Sequence, residues 1–175
     1  MSQTCQRCSR EKLEKITLDD NMDVCGHTFT AQLPATRCGA CGEVVIQGTD
    51  VKLFELRVAI ELAKNGLRTG ASFKFLRTAL QLNAAQLASL LDVPEDFIGY
   101  WERGDWPVDP RAHGVLCSLI LGRYDNTHST LDCLRVLREP RKLARKVRVH
   151  LIDALGHARK ALQFGSMAHN SPALA

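Results

Sequence analysis

The chain has 175 residues, of which 45% are hydrophobic and 24% charged, with a formal net charge of +4. This length fits one ordinary domain or two small ones, and the weak positive charge permits a polyanionic partner without requiring one. No apolar run approaches the roughly 18 residues of a membrane span, and no secretory signal is visible, so we expect a cytoplasmic protein without membrane contact. The seven cysteines are then expected as thiols or metal ligands rather than disulfides.

Two Cys-x-x-Cys pairs stand near the N-terminus. Two residues between ligands let the chain turn so that both thiolates of a pair reach one ion, and four thiolates complete a closed tetrahedral Zn²⁺ site. Because such a site has no open coordination position, the pattern predicts a structural zinc ion rather than a catalytic one. The alternatives are two unrelated pairs of free thiols or a redox-active dithiol. The predicted ligands are Cys5, Cys8, Cys38 and Cys41.

Residues beside the cysteine pairs fit the zinc interpretation. Gly39 and Gly42 lie where a tight turn favours small residues. Arg7 and Arg37 are close enough in sequence to offset part of the formal charge of about −2 on a four-thiolate zinc site. Between the pairs, Cys25-Gly26-His27 offers an alternative ligand, although four cysteines leave it no vacancy.

Strands are predicted in this N-terminal module and helices after it. Lys15–Asp19 and Thr28–Gln32 read as short strands separated by a turn at Asp19–Asp23, held together by the metal ion. From residue 49 the apolar spacing becomes helical, with Thr49 or Asp50 as the first cap, a hinge at residues 66–70, and Asn83 with Gln86 as a capping box. The predicted helices are Val51–Asn65, Ser72–Gln81, Ala84–Leu91, 94–103 and Arg111–Leu121, with Cys117 and Cys133 as buried core thiols.

Two of these short helices, joined at Asp92-Val93, form a predicted helix-turn-helix whose apolar residues Leu87, Leu90, Val93 and Ile98 face inward. The run from Asn83 to Gly104, which closes on Trp101-Glu102-Arg103-Gly104, resembles the Cro/phage-repressor (XRE) helix-turn-helix. With the cysteine module ahead of it, residues 5 to 121 are similar to the MqsA (YgiT-type) antitoxins.

The resemblance carries definite implications for function. In that family the zinc module engages a toxin, while the helix-turn-helix domain dimerises and represses its own promoter. The resemblance also implies that Arg77 pairs with Glu102 and that Trp101 packs nearby, which gives these three residues structural roles.

The predicted recognition helix is poorly equipped for guanine readout, because it carries three acids and one arginine. Asp96 and Tyr100 stand where the antitoxins have an asparagine and an arginine. Phosphate contacts remain available from Lys74, Arg103 and Arg111, or from the helix N-terminus at Ala84. The alternative is a helix-turn-helix retained for dimerisation or protein docking. The candidate DNA-binding residues are Lys74, Ala84, Asp96, Tyr100, Arg103 and Arg111.

A basic extension follows the family resemblance. A short helix is predicted from Ser129 to Leu137 and a long one from Glu139-Pro140, with an apolar stripe at Leu143, Val147, Leu151, Ala154, Ala158 and Leu162. Three roles stay open for it: a solvated surface helix, a set of non-specific phosphate contacts, or a dimer seam. Its basic residues are Arg135, Arg138, Arg141, Lys142, Arg145, Lys146 and Arg148.

Taken together, the sequence predicts a mainly α protein with a small β-containing zinc module and a Cro/repressor-like helix-turn-helix domain. The predicted parts are the zinc module (1–48), a connecting helix (49–66), the helix-turn-helix domain (67–125), the basic extension (126–165) and a disordered tail (166–175). The predicted function is a homodimeric, zinc-stabilised regulator of double-stranded DNA, with a cognate toxin as a second partner. The alternative is an adaptor that does not bind DNA. Six scattered histidines show no catalytic spacing, so we expect no enzyme.

Overall fold

The computed structural model describes residues 4–122 and 142–151, which form a four-stranded sheet and five helices. The predicted mainly α class is correct only in part, because two strands of 12 residues each make the sheet a major component. The elements are β1 (Leu13–Val24), β2 (His27–Cys38), β3 (Val44–Ile46), α1 (Gly48–Asn65), α2 (Gly70–Ala79), α3 (Ala84–Leu91), α4 (Glu95–Arg103), α5 (Pro110–Ile120) and β4 (Lys146–Arg148).

Strands β1 and β2 form one long antiparallel hairpin that is paired along its whole length. Its turn is Cys25-Gly26, where φ is 55° and 78°, the left-handed geometry of a two-residue hairpin loop. The prediction of a turn at Asp19–Asp23 is therefore wrong. Those polar residues belong to β1, and the Asp23 carboxylate accepts a hydrogen bond of 2.6 Å from the Thr28 hydroxyl across the ladder.

The other two strands pair with the edge of β2 that β1 leaves free. Strand β3 runs antiparallel to one end of β2, and β4 runs parallel to the other end, with Thr28 opposite Lys146. The Thr28 N–H donates to the Arg145 carbonyl at 2.8 Å, and the Val149 N–H donates to the Thr30 carbonyl at 3.0 Å.

Strand β4 corrects the prediction of a long helix in the basic extension. Leu143, Val147 and Leu151 have helical spacing, but Val147, Val149 and Leu151 also alternate as in a strand, and this second pattern is the observed one. The β-branched valines favour the extended form. The rest of the extension, with Cys133, Arg135, Arg138 and Arg141, and the tail 166–175 lie outside the described residues.

One continuous core joins the sheet to all five helices. Each large apolar side chain buried there contributes about 1.5–3 kcal/mol to folding. Cys117 is buried as predicted, whereas Leu90 is 64% exposed, so the prediction that it faces inward is wrong. Helix α3 contributes Leu87 and Ala88 to the core instead. The largest fully buried side chains include Phe29, Leu33, Phe54, Ile60, Phe73, Leu76, Leu87, Ile98, Leu116 and Ile120.

Local capping explains where the helices begin and end. Helix α1 begins at Gly48, earlier than predicted, so Thr49 and Asp50 lie inside its first turn and neither serves as the cap. Helix α3 has the predicted bounds, because Asn83 and Gln86 form the expected reciprocal capping box at 2.7 and 2.8 Å.

A close backbone approach fixes the start of α2 against the end of α4. A Cβ atom placed on Gly70 would lie 2.4 Å from the Trp101 carbonyl oxygen and 2.7 Å from that of Glu102. We therefore expect Gly70→Ala to lower the free energy of unfolding by about 1–3 kcal/mol, since backbone has to shift. Gly48→Ala, in the first turn of α1 with open space around it, is the matched control and should cost nothing. Urea denaturation compares the two, and equal stabilities would contradict the close approach.

His113 is a buried titratable group in this core. It is fully buried, neither ring nitrogen has a hydrogen-bond partner among the described residues, and the ring stacks on Phe73 with centroids 6.4 Å apart. Burial, with the nearby charge of Arg68 adding to it, lowers the pKa of His113 to about 4.

Protonation of His113 should therefore make stability depend on pH. The folded-state pKa of His113 lies below the unfolded value of about 6.5. The stability that the neutral imidazole contributes is therefore fully present above pH 6.5 and is lost as the pH falls toward 4. Between pH 7.5 and 5 we expect the native chain to lose about 2 kcal/mol more than His113→Leu, which has no proton to bind. Urea denaturation at both pH values measures the difference, and parallel losses would show that His113 does not titrate in this range.

Candidate functional site

The two cysteine pairs lie in turns of the same geometry. In each turn the residue after the second cysteine has a positive φ, 56° at Ser9 and 76° at Gly42. Its N–H donates to the carbonyl of the first cysteine, at 2.8 Å to Cys5 and 2.9 Å to Cys38. Of the two glycines singled out in the sequence, only Gly42 needs its conformational freedom, because Gly39 has no positive φ.

The four cysteine sulfurs converge on one point. All four Sγ atoms lie within 4.8 Å of one another, with 3.7 Å between Cys5 and Cys41 and 3.6 Å between Cys8 and Cys38. A tetrahedron with a metal–sulfur distance of about 2.3 Å has edges of about 3.8 Å, whereas a disulfide needs about 2.05 Å. The four predicted ligands therefore form a site of free thiols that can hold one metal ion.

The alternative ligands Cys25 and His27 are far from this site. They lie at the turn of the hairpin, separated from the cluster by the length of β1, about 36 Å at 3.3 Å per residue. There the Thr69 hydroxyl lies 3.8 Å from the Cys25 sulfur, and Nδ1 of His27 lies 2.9 Å from the Ala144 carbonyl oxygen.

Without a cation, the thiols of Cys38 and Cys41 do not ionise together. The backbone N–H groups of Ala40 and Cys41 lower the pKa of Cys38 to about 6. The N–H of Glu43 also lowers the pKa of Cys41, but desolvation and the neighbouring sulfurs outweigh it and raise that pKa to about 12. A divalent cation removes this repulsion, because it stabilises every thiolate at once. The donor set and its crowding both fit a bound metal ion.

An ion pair connects the two turns beside the sulfurs. Nη1 of Arg7 donates to the Glu43 carboxylate at 2.8 Å. This hydrogen bond and the charge of Glu43, with the sulfurs of Cys41 and Cys5 adding to them, raise the pKa of Arg7. Arg7 therefore lies where it offsets thiolate charge, as its position in the sequence indicates, while Arg37 is exposed on β2.

The second candidate region is the unit of α2, α3 and α4. Helices α3 and α4 are joined by residues 92–94, and Asp92 takes a left-handed conformation with φ of 54°. Nε and Nη2 of Arg77 donate to the two carboxylate oxygens of Glu102 at 2.6 and 3.0 Å, and Nη1 donates to the Leu82 carbonyl at 2.6 Å. Trp101 is buried edge-on to Phe73, with ring centroids 5.7 Å apart. The pair that the resemblance implies is present, and it joins α2 to α4.

Four of the six candidate DNA-binding residues meet on one concave surface, which we call the α3–α4 concavity. Ala84, Asp96, Tyr100 and Arg103 line it together with Glu95 and Gly99. Lys74 on α2 and Arg111 on α5 are exposed and lie outside this concavity.

The chemistry of the α3–α4 concavity is aromatic and acidic. Nε of Arg103 donates to the Asp105 carboxylate at 2.8 Å, and its guanidinium lies 5.3 Å from the centre of the Tyr100 ring. Trp106, which was not predicted from the sequence, is 44% exposed, and its ring centroid lies 4.6 Å from that of Tyr100. The sequence feature that could have pointed to it is an aromatic residue in the polar turn just after the end of α4. Because Asp105 offsets the positive charge of Arg103, the negative charge of the Asp96 carboxylate has a larger effect on the electrostatic potential of this surface.

None of the helices in residues 4–122 and 142–151 has both the length and the apolar character needed to cross a membrane. No family model, no curated protein and no solved structure matches this chain.

Proposed function

We propose that this protein is a zinc-stabilised, DNA-binding transcription regulator of the MqsA-antitoxin type that acts in the cytoplasm as a homodimer. The observation that carries the proposal is the helix pair α3–α4, which the buried pair of Arg77 and Glu102 braces against α2 while leaving the outer face of α4 exposed. In this proposal the regulator represses its own promoter and binds a cognate toxin through the zinc module. A gene for a small basic ribonuclease-like toxin beside its own gene would support the antitoxin role.

The metal ion in this proposal is Zn²⁺ with a structural role. Four thiolates at tetrahedral spacing suit zinc, and iron is the main competitor for such a donor set. The protein supplies every ligand, so no position is left for water or substrate. The ion would hold the first turn, before β1, to the second turn, between β2 and β3.

The proposed DNA contacts divide between backbone and bases. The N–H groups at the start of α3, beginning at Ala84, suit a phosphate, as do the exposed cations Lys74 and Arg111. Asp96 is able to accept a hydrogen bond from the cytosine amino group, and Tyr100 offers a hydroxyl beside it.

Binding to the DNA upstream of its own gene tests this proposal. At physiological salt we expect the purified protein to prefer this DNA over a scrambled duplex by about a hundredfold, or roughly 3 kcal/mol. Fluorescence anisotropy with both duplexes measures the ratio. Equal affinities would remove the claim of sequence recognition.

A protein-docking adaptor is the second candidate, because the paired Arg103 leaves an acidic and aromatic α3–α4 concavity that suits a basic protein. Asp96→Asn separates the two candidates by removing one negative charge. Weaker repulsion of phosphate would raise the affinity for DNA, whereas loss of an attractive carboxylate would lower the affinity for a basic partner. Asp92→Asn, exposed on the turn outside the concavity, is the matched control.

A further inference from the structure

Exposed cations occupy strand β4 and the residues just before it, at an edge of the sheet that carries the cysteine site. We call Lys142, Arg145, Lys146 and Arg148 the basic edge; all four are exposed. Val149 and Leu151 alternate with the outward residues and are buried in the core. Val147 in β4 packs against the core as well, so this segment is anchored by its apolar side chains, while Lys146 and Arg148 project from the opposite face about 7 Å apart.

No acidic side chain neutralises the basic edge within the described part of the chain. None of its four cations makes an ion pair there. The acids on the same sheet face, Asp19 and Asp23, belong to β1, which lies two strands or about 10 Å from β4. The sheet thus has an acidic edge and a basic edge.

A shallow pocket of about 80 Å³ lies beside Arg148. The polar residues Gln32, Arg148 and His150 line it together with Val149 and Leu151. All three polar groups are able to donate hydrogen bonds to an anionic oxygen. The pocket is large enough for one phosphate group.

We propose that the basic edge and this pocket bind the phosphate backbone of duplex DNA. The proposal rests on the proposed function and deepens it. The sheet of the zinc module adds phosphate contacts to those of Lys74 and Arg111, whereas the acidic α3–α4 concavity supplies little affinity from charge. Single-stranded nucleic acid fits less well, because the basic edge carries no aromatic side chain on which bases would stack.

The test is the salt dependence of binding to a random-sequence DNA duplex of about 20 base pairs, the length of roughly two helical turns. The variant Lys146→Gln with Arg148→Gln removes two charges from the basic edge. We expect the slope of log affinity against log salt to become shallower by about 2, and the affinity near 0.1 M salt to fall at least about tenfold. Lys15→Gln with Lys52→Gln, exposed elsewhere, makes the same change in net charge and should leave the slope unchanged.

Three results would overturn this inference. They are equal slopes for the two variants, no binding of the native chain to the random duplex at low salt, or tighter binding to an RNA duplex of the same sequence. All four substituted side chains are exposed, and unchanged melting temperatures and metal content verify the fold. A shallower slope without any preference for the upstream DNA would support the basic edge while refuting the proposed regulator.

Discussion

Replacing Cys38 with serine is expected to abolish stoichiometric zinc binding, because the site loses one of its four converging sulfurs and Zn²⁺ binds an alcohol far more weakly than a thiolate. Structural zinc sites contribute apparent binding free energies of about 10–16 kcal/mol, so this is the largest effect that we expect from one substitution. Native mass spectrometry measures the metal content.

The loss of structure should be confined to the metal end of the sheet. Phe29 and Leu33, nearer the hairpin turn on β2, belong to the same core as the helices. The turns that carry the cysteines are held by backbone hydrogen bonds, the exposed Arg7–Glu43 ion pair and the proposed metal ion. We therefore expect hydrogen exchange to accelerate around β3 and the first residues of β1, and to stay slow near Phe29. Uniform acceleration along the hairpin would contradict this division.

Cys25→Ser provides the matched control for the metal site. Cys25 is a free thiol in the same hairpin, but its sulfur lies outside the cluster of four. The Cys25→Ser variant should keep one zinc ion per chain. Removal of zinc by a chelator should reproduce the effect of Cys38→Ser, both in the native chain and in Cys25→Ser. Metal content that is unchanged in Cys38→Ser would refute the proposed site.

Removing Arg77 should destabilise the helical half of the molecule strongly. Both partners of the Arg77–Glu102 pair are only 11% exposed, so Arg77→Ala leaves a buried carboxylate without its cation and the Leu82 carbonyl without its donor. Breaking a buried pair in this way costs about 3–5 kcal/mol. Urea denaturation followed by circular dichroism measures the loss.

Two further variants make the prediction specific to burial. Arg103→Ala removes an ion pair with Asp105 whose side chains are 59% and 50% exposed, and it should cost less than about 1 kcal/mol. The double variant Arg77→Met with Glu102→Leu removes both buried charges together and should recover much of the lost stability. Similar losses for Arg77→Ala and Arg103→Ala would show that burial does not set the strength of the pair.

The features that the sequence predicted well depend on short stretches of chain. The Cys-x-x-Cys spacing determines how the sulfurs of each turn converge, and the bounds of α3 follow from Asn83 and Gln86 three residues apart. Strand pairing is different, because it depends on a partner elsewhere. Asp19–Asp23 has the composition of a turn, and only its pairing with β2 shows that it is a strand.

The basic extension shows the same difficulty over a longer range. Val147 and Leu151 fit a helical spacing and a strand alternation equally well. The strand forms because its backbone pairs with the free edge of β2 beside Thr28. The α3–α4 concavity was anticipated in part, since the resemblance pointed to Asp96 and Tyr100, and Arg103 was expected as a phosphate contact. The resemblance gave no sign that Asp105 would pair with Arg103 or that Trp106 would pack on Tyr100. Both residues follow the motif.

The parallel pairing of β4 with β2 has a consequence for the nascent chain. His27 contacts Ala144, which the ribosome adds 117 residues later. At about 5–20 residues per second, the hairpin emerges roughly 6–23 seconds before the strand that completes its sheet. During that interval the free edge of β2 is open to pairing with other chains. Translation that stops soon after α5 would therefore yield an aggregation-prone fragment, and a chaperone that shields β-strand edges would act on this protein while it is being made.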